Sequence, residues 1–159
     1  MPRKGPAKKR KIIEDAIYNN RLVTKLINRS MRDGKKSVAQ RQVYGALDLV
    51  KEISKEDPIK TFSKALDNIK PNMEVRPRRV GGAAYQIPMP VKGGRRESLA
   101  IRWLIFAARS RPNKEYHTYS DKLASEITDA AKGEGGAVKK RQDIERMAEA
   151  NRAFAHFRW

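Results

Sequence analysis

The chain has 159 residues, with 36 lysines and arginines against 18 acidic residues, so its formal charge is +18. That excess repels itself in the folded state and calls for a polyanion, with nucleic acid the leading partner and an anionic membrane surface the rival. The absence of cysteine excludes a disulfide framework and Cys-ligated zinc.

The length suits one domain with its own core. The longest apolar run, Trp103 to Ala108, falls far short of the ~20 residues of a membrane helix. No apolar stretch follows the basic start, so no secretory peptide is expected, and a cytoplasmic protein is. Residues 1–12 read as a basic arm carrying Arg3, Lys4, Lys8, Lys9 and Arg10 without an acid. Alone it cannot bury enough apolar surface to fold, and it is expected to order along a phosphate backbone.

From Asn20 the pattern turns helical, with Leu22, Val23, Leu26, Ile27 and Met31 on one side and Gly34 suited to the residue just past the end. A second helix carries Val38, Val43, Leu47, Val50 and Ile53. Asp57-Pro58 reads as N-cap and first residue of a third, striped by Ile59, Phe62, Leu66 and Ile69. After residues 73–91, a fourth helix carries Leu99, Trp103, Leu104, Phe106 and Ala107. It is apolar over more than one face and is expected to be the central core helix. Thr118 to Asp121 fits a capping box opening a fifth helix, through Leu123 and Ile127 to Ala131. A sixth, mostly charged helix runs from about Ala137 past Met147 and needs neighbours for stability. Residues 137–159 close with Phe154, Phe157 and Trp159. The expected fold is mainly α, a single domain of about six helices (residues 13–159) with a protruding two-stranded hairpin.

That hairpin, residues 73–91, turns at Gly81-Gly82, a pair suited to a type I′ turn. A two-residue loop places Arg78 opposite Tyr85 and Arg76 opposite Ile87, all four on one face. Pro77, Pro88 and Pro90 cannot donate ladder hydrogen bonds, so the ribbon should project rather than join a larger sheet. Tyr85 then either packs beneath the ribbon or stacks on a base.

The strongest basic cluster, Arg76, Arg78, Arg79, Lys92, Arg95, Arg96 and Arg102, is opposed locally only by Glu74 and Glu97. Lys35 and Lys36 form a smaller patch at a helix junction. Arg95 and Arg102 share a helix face near an N-terminal half, where the dipole disfavours cations, which points to an anion. His117 and His156 lack metal-site spacing, no Walker or dinucleotide motif occurs, and no carboxylate pair faces a nucleophile. An enzyme, a cofactor and a small-molecule substrate are therefore not expected. A DNA-binding arm competes with RNA binding, but a glycine tip lacks the apolar wedge of such arms. A protein scaffold would rest on the sixth helix and the aromatic end, whose rings either fold back, the favoured reading, or face a neighbouring protein.

Three separated stretches go further. Arg76 to Pro88 (RPRRVGGAAYQIP), Met31 to Ser37 (MRDGKKS) and Met147 to Trp159 (MAEANRAFAHFRW) closely resemble the bacterial small-subunit ribosomal protein seven family, in order along nearly the whole chain. The chain departs at Met89 to Gly94, where many relatives carry an acidic residue and an Arg-Pro pair, and it ends at Trp159 without the extension of some relatives.

The resemblance implies a primary 16S rRNA-binding protein of the 3′ major domain that begins assembly of the subunit head. It implies rRNA contact by the arm, by Lys35 and Lys36, and by a basic face of Arg76, Arg78, Arg79, Lys92, Arg95, Arg96, Arg102, Arg109 and Arg111. It sets Val80, Gly81, Gly82, Ala83 and Tyr85, with Arg141 and Met147 of the sixth helix, near exit-site tRNA and mRNA. Arg152, Phe154, Phe157 and Trp159 become candidates for contact with small-subunit proteins nine and eleven. Some members of the family repress their own mRNA.

Overall fold

The computed structural model describes Gly5 and residues 11–157. Helices α1 (Arg21–Ser30), α2 (Lys36–Ser54) and α3 (Pro58–Ile69) precede strands β1 (Met73–Val80) and β2 (Ala83–Pro90). Helices α4 (Gly93–Ser110), α5 (Tyr119–Lys132) and α6 (Gly136–Ala150) follow, and a 3-10 helix, Arg152–Phe157, closes the described chain. The mainly helical single domain with one hairpin is thus what the sequence predicts.

Local chemistry sets most boundaries. The Asn20 side chain accepts the Leu22 N–H at 2.8 Å and opens α1. Asp57 caps α3, with Pro58 at its first position. Thr118 and Asp121 form the reciprocal capping box of α5, and Gly133, at φ 88°, ends that helix in the left-handed conformation.

The core joins Val23, Leu26 and Ile27 of α1 to Val43, Leu47 and Val50 of α2 and to Phe62, Leu66 and Ile69 of α3. Leu104, Leu123 and Ile127 complete it from α4 and α5. Each such side chain contributes about 1.5–3 kcal/mol on leaving water. Helix α5 packs on α2, α3, α4 and α6, while α4 packs on α1, α3, α5 and α6. The centre predicted for α4 alone is shared between them.

Three expectations fail here. Helix α1 stops at Ser30, because Met31 turns to extended backbone (ψ 137°) and its half-buried side chain packs on the core from outside the helix. Val38 and Ile53 lie exposed near the ends of α2, and Ala39 and Ala46 fill the core stripe between them. Phe106 is not core at all: it is 69% exposed, while Leu104, Ile105, Ala107 and Ala108 around it turn inward.

Candidate nucleic-acid interface

The hairpin pairs from Met73↔Pro90 to Val80↔Ala83 without interruption, so Arg78 faces Tyr85 and Arg76 faces Ile87 as the two-residue turn requires. Gly81 and Gly82 hold φ values of 60° and 91°. The two strands form a sheet by themselves. The ladder extends by the Val91 N–H donating to the Asn72 carbonyl at 3.0 Å, so the base stays regular across the stretch where the chain departs from its resembled family.

The root of this arm is fastened to two helices. Buried Glu74 accepts from Arg76 at 2.5 Å with one carboxylate oxygen and from Arg95 of α4 at 2.6 Å with the other. Arg96 donates to the Pro71 carbonyl at 3.1 Å and to the Asn72 side chain at 2.6 Å. The Asn72 N–H in turn donates to Glu145 of α6 at 3.2 Å. Arg95 and Arg96, predicted as part of the basic cluster, therefore have a second use: they join the ribbon to the helical body, while Arg76 shares Glu74 from within β1. Charge-assisted bonds of this kind are the stronger hydrogen bonds.

Beyond the root, the exposed side of α4 carries Arg95, Ser98, Arg102, Phe106 and Arg109 at helical spacing, with no acid among them. Glu97 turns aside to Lys25 of α1, whose hydrogen bond holds that carboxyl below its ordinary range. Asn28 and Arg29 of α1 share a cleft with Ser98, and Arg109 donates to the Ser30 carbonyl at 2.9 Å. Arg109 and Lys35 then line one cleft of about 430 Å³ with Arg32, His117 and Tyr119. Lys36 opens α2 and lines a separate cleft with Thr24 and Asn28 of α1, and Lys92, exposed, precedes α4. The structure thus brings Lys35, Arg95, Arg102 and Arg109 onto one cationic side, and adds Arg29, Arg32 and Phe106, which sequence reasoning did not select.

Arg111 lies apart from this face. Its side chain is 16% exposed and bridges Glu126 at 2.7 Å and Asp129, with further bonds to Tyr116 and Ser125. Glu126, 1% exposed, uses its other oxygen to accept the Ala137 N–H at 2.8 Å, satisfying a free donor at the start of α6. Arg111 thereby fixes where α6 begins.

Tyr85 packs against the aromatic end of the chain. Its ring centre lies 5.2 Å from that of Phe154 and 5.6 Å from that of Phe157, so the 3-10 helix folds back on β2. Arg79, Ala83 and Ala84 are exposed along the outer ribbon, and Arg78 and Val80 are half-buried. On α6, Met147 is exposed and Arg141 pairs weakly with Glu145 at 3.7 Å, while exposed Arg152 of the 3-10 helix reaches Glu149 at 3.2 Å. Arg3, Lys4, Lys8, Lys9, Arg10 and Trp159 lie outside the described residues.

A two-stranded ribbon rooted in a cationic helix face agrees with what comparison finds. The family model described as ribosomal protein S7p/S5e matches residues 2–152. The chain belongs to this family. Membership makes it a structural protein of the ribosome rather than an enzyme. A protein named small ribosomal subunit protein uS7 from Caldicellulosiruptor saccharolyticus is 60% identical over the full length of both chains. Its namesakes from Caldanaerobacter subterraneus and Desulfovibrio desulfuricans are each 55% identical, again over the full length of both. Among the described residues no helix is long and apolar enough to cross a membrane.

Proposed function

We propose that this S7p/S5e-family chain is a structural constituent of the small ribosomal subunit in the bacterial cytoplasm, and that it binds the 3′ major domain of 16S rRNA as a primary protein of head assembly. The observation that carries this reading is the continuity of the cationic α4 side with the hairpin root through Glu74, Arg95 and Arg96. A folded RNA junction offers phosphates on several strands at once, and arginine forks meet them by shape and charge rather than by base sequence. Arg95, Arg96, Arg102, Arg109, Lys35 and Lys36 supply that contact, with Arg76, Arg78, Arg79 and Lys92 at the hairpin and the basic residues 1–12 alongside. Arg111, spent on Glu126 and Asp129, is left out of it.

The tip from Val80 to Ala83, bare of charge, with Arg141 and Met147 of α6, faces exit-site tRNA and the mRNA path in this reading. Exposed Arg152 and the outer surfaces of the aromatic end serve small-subunit proteins nine and eleven.

Affinity for the folded 3′ major domain tests the core of it. A face making roughly six phosphate contacts should lose about a thousandfold between ~50 and ~200 mM salt. Duplex DNA should compete poorly. A flat salt response, or equal competition by duplex DNA, would refute rRNA recognition by this face.

A further inference from the structure

Phe106 is the most exposed large apolar ring of the described residues, and it stands in a row of arginines. On α4 it lies one turn beyond Arg102 and one turn before Arg109, at the i, i+4, i+7 positions of a single helix side. The rise per residue sets Arg102 about 6 Å and Arg109 about 4.5 Å from it along the axis. The cleft holding Arg29 opens beside the stripe at Ser98, and the cleft holding Arg32 and Lys35 opens beside it at Arg109. Cations therefore bound the ring along the helix and beyond both clefts. A second apolar surface cannot cover Phe106 without stripping water from Arg102 and Arg109, which is costly unless the partner brings negative charge. An unpaired nucleotide brings both requirements together, a flat apolar face and a phosphate.

We infer that Phe106 is a base-stacking site: an unpaired base of bound RNA lies on its ring while the flanking phosphates meet Arg102 and Arg109. The inference rests on the rRNA-binding reading above and adds to it a contact with a base, where that reading has only phosphates and shape. Stacking on an aromatic side chain tolerates any base, because each offers a π-face. Its removal therefore weakens binding without changing its dependence on salt, which the arginines set.

The test measures affinity of the full chain and four variants for the folded 3′ major domain fragment of small-subunit rRNA. Phe106→Ala should lose about 5- to 160-fold, the range for loss of one stacked base. Phe106→Leu, apolar but without a π-face, should lose as much, and Phe106→Trp should bind as the parent does. The tryptophan variant should also show fluorescence quenching on binding beyond that of the parent chain. Because the ring is exposed, all variants should share the parent's thermal unfolding curve. Parent-like binding by Phe106→Leu or Phe106→Ala would overturn the stacking role. Arg102→Ala separates the two readings: if it weakens binding while Phe106→Ala does not, the rRNA face stands and the base site falls. Failure of the parent chain to bind the fragment would instead remove the rRNA reading itself. Phe106→Ala that binds RNA normally but fails to enter particles reconstituted with other small-subunit proteins would assign the ring to a protein and refute the proposal.

Discussion

Arg102 and Arg111 carry the same side chain, one within α4 and one capping its end, and their surroundings give them opposite uses. Arg102 is exposed and makes no ion pair among the described residues. Arg111 neutralises Glu126, a carboxylate removed from water that also holds the first turn of α6. Removing one partner of a buried pair leaves the other charge unpaired, at about 3 kcal/mol or more, whereas an exposed substitution falls within about 0.5 kcal/mol. Arg111→Ala should therefore shift the urea midpoint strongly, and Arg102→Ala should not. Equal midpoints would mean that the Glu126 network adds nothing to stability. Neither fate can be read from the sequence: Glu126 is fifteen residues from Arg111, and only the packing of α4 on α5 brings them together.

At the scale of elements, the signals that proved legible were the local ones. Asp57-Pro58, the Thr118 capping box and Gly81-Gly82 each act within a few residues, and the hairpin register follows from the last of them. Apolar spacing was less informative. It locates a helix but not which of several apolar sides is covered, so Val38, Ile53 and Phe106 belong to apolar stripes in the sequence and yet lie outside the core. The basic face was legible as a cluster. The sharing of Glu74 between Arg76 and Arg95 was not, since it depends on how the ribbon meets α4. The aromatic meeting of Tyr85 with Phe154 and Phe157 joins residues some seventy apart and has the same long-range origin. Such ring pairs contribute about 0.5–1.5 kcal/mol beyond their burial. Replacing Phe154 and Phe157 by Ala should leave the melting of the helical body nearly unchanged. Hydrogen exchange should meanwhile quicken at the backbone amides of β2. Unaltered exchange there would show that the rings do not hold the ribbon.

For the whole molecule, the charge of +18 makes salt act in two opposite directions. Screening relieves repulsion within the free protein, so its thermal midpoint should rise with added potassium chloride over the range that weakens rRNA binding. A midpoint that falls or stays level would mean that the ion pairs, not the uncompensated cations, dominate the free protein's electrostatics. Cations gather on one side of α4 and α1, while three of the acids, Glu74, Glu97 and Glu126, turn aside to bind arginines, a lysine and a helix start.

The ribbon is held in two places, at its root by Arg95, Arg96 and Glu145 and along its shaft by the rings on Tyr85. A beam fixed at two points cannot pivot about either. A load applied at the glycine turn must therefore flex the free segment beyond Tyr85 or drag α6 and the 3-10 helix along with it. The length of ribbon that can yield by itself is only the few residues around the turn, and displacement beyond that is carried into the body as a lever carries it.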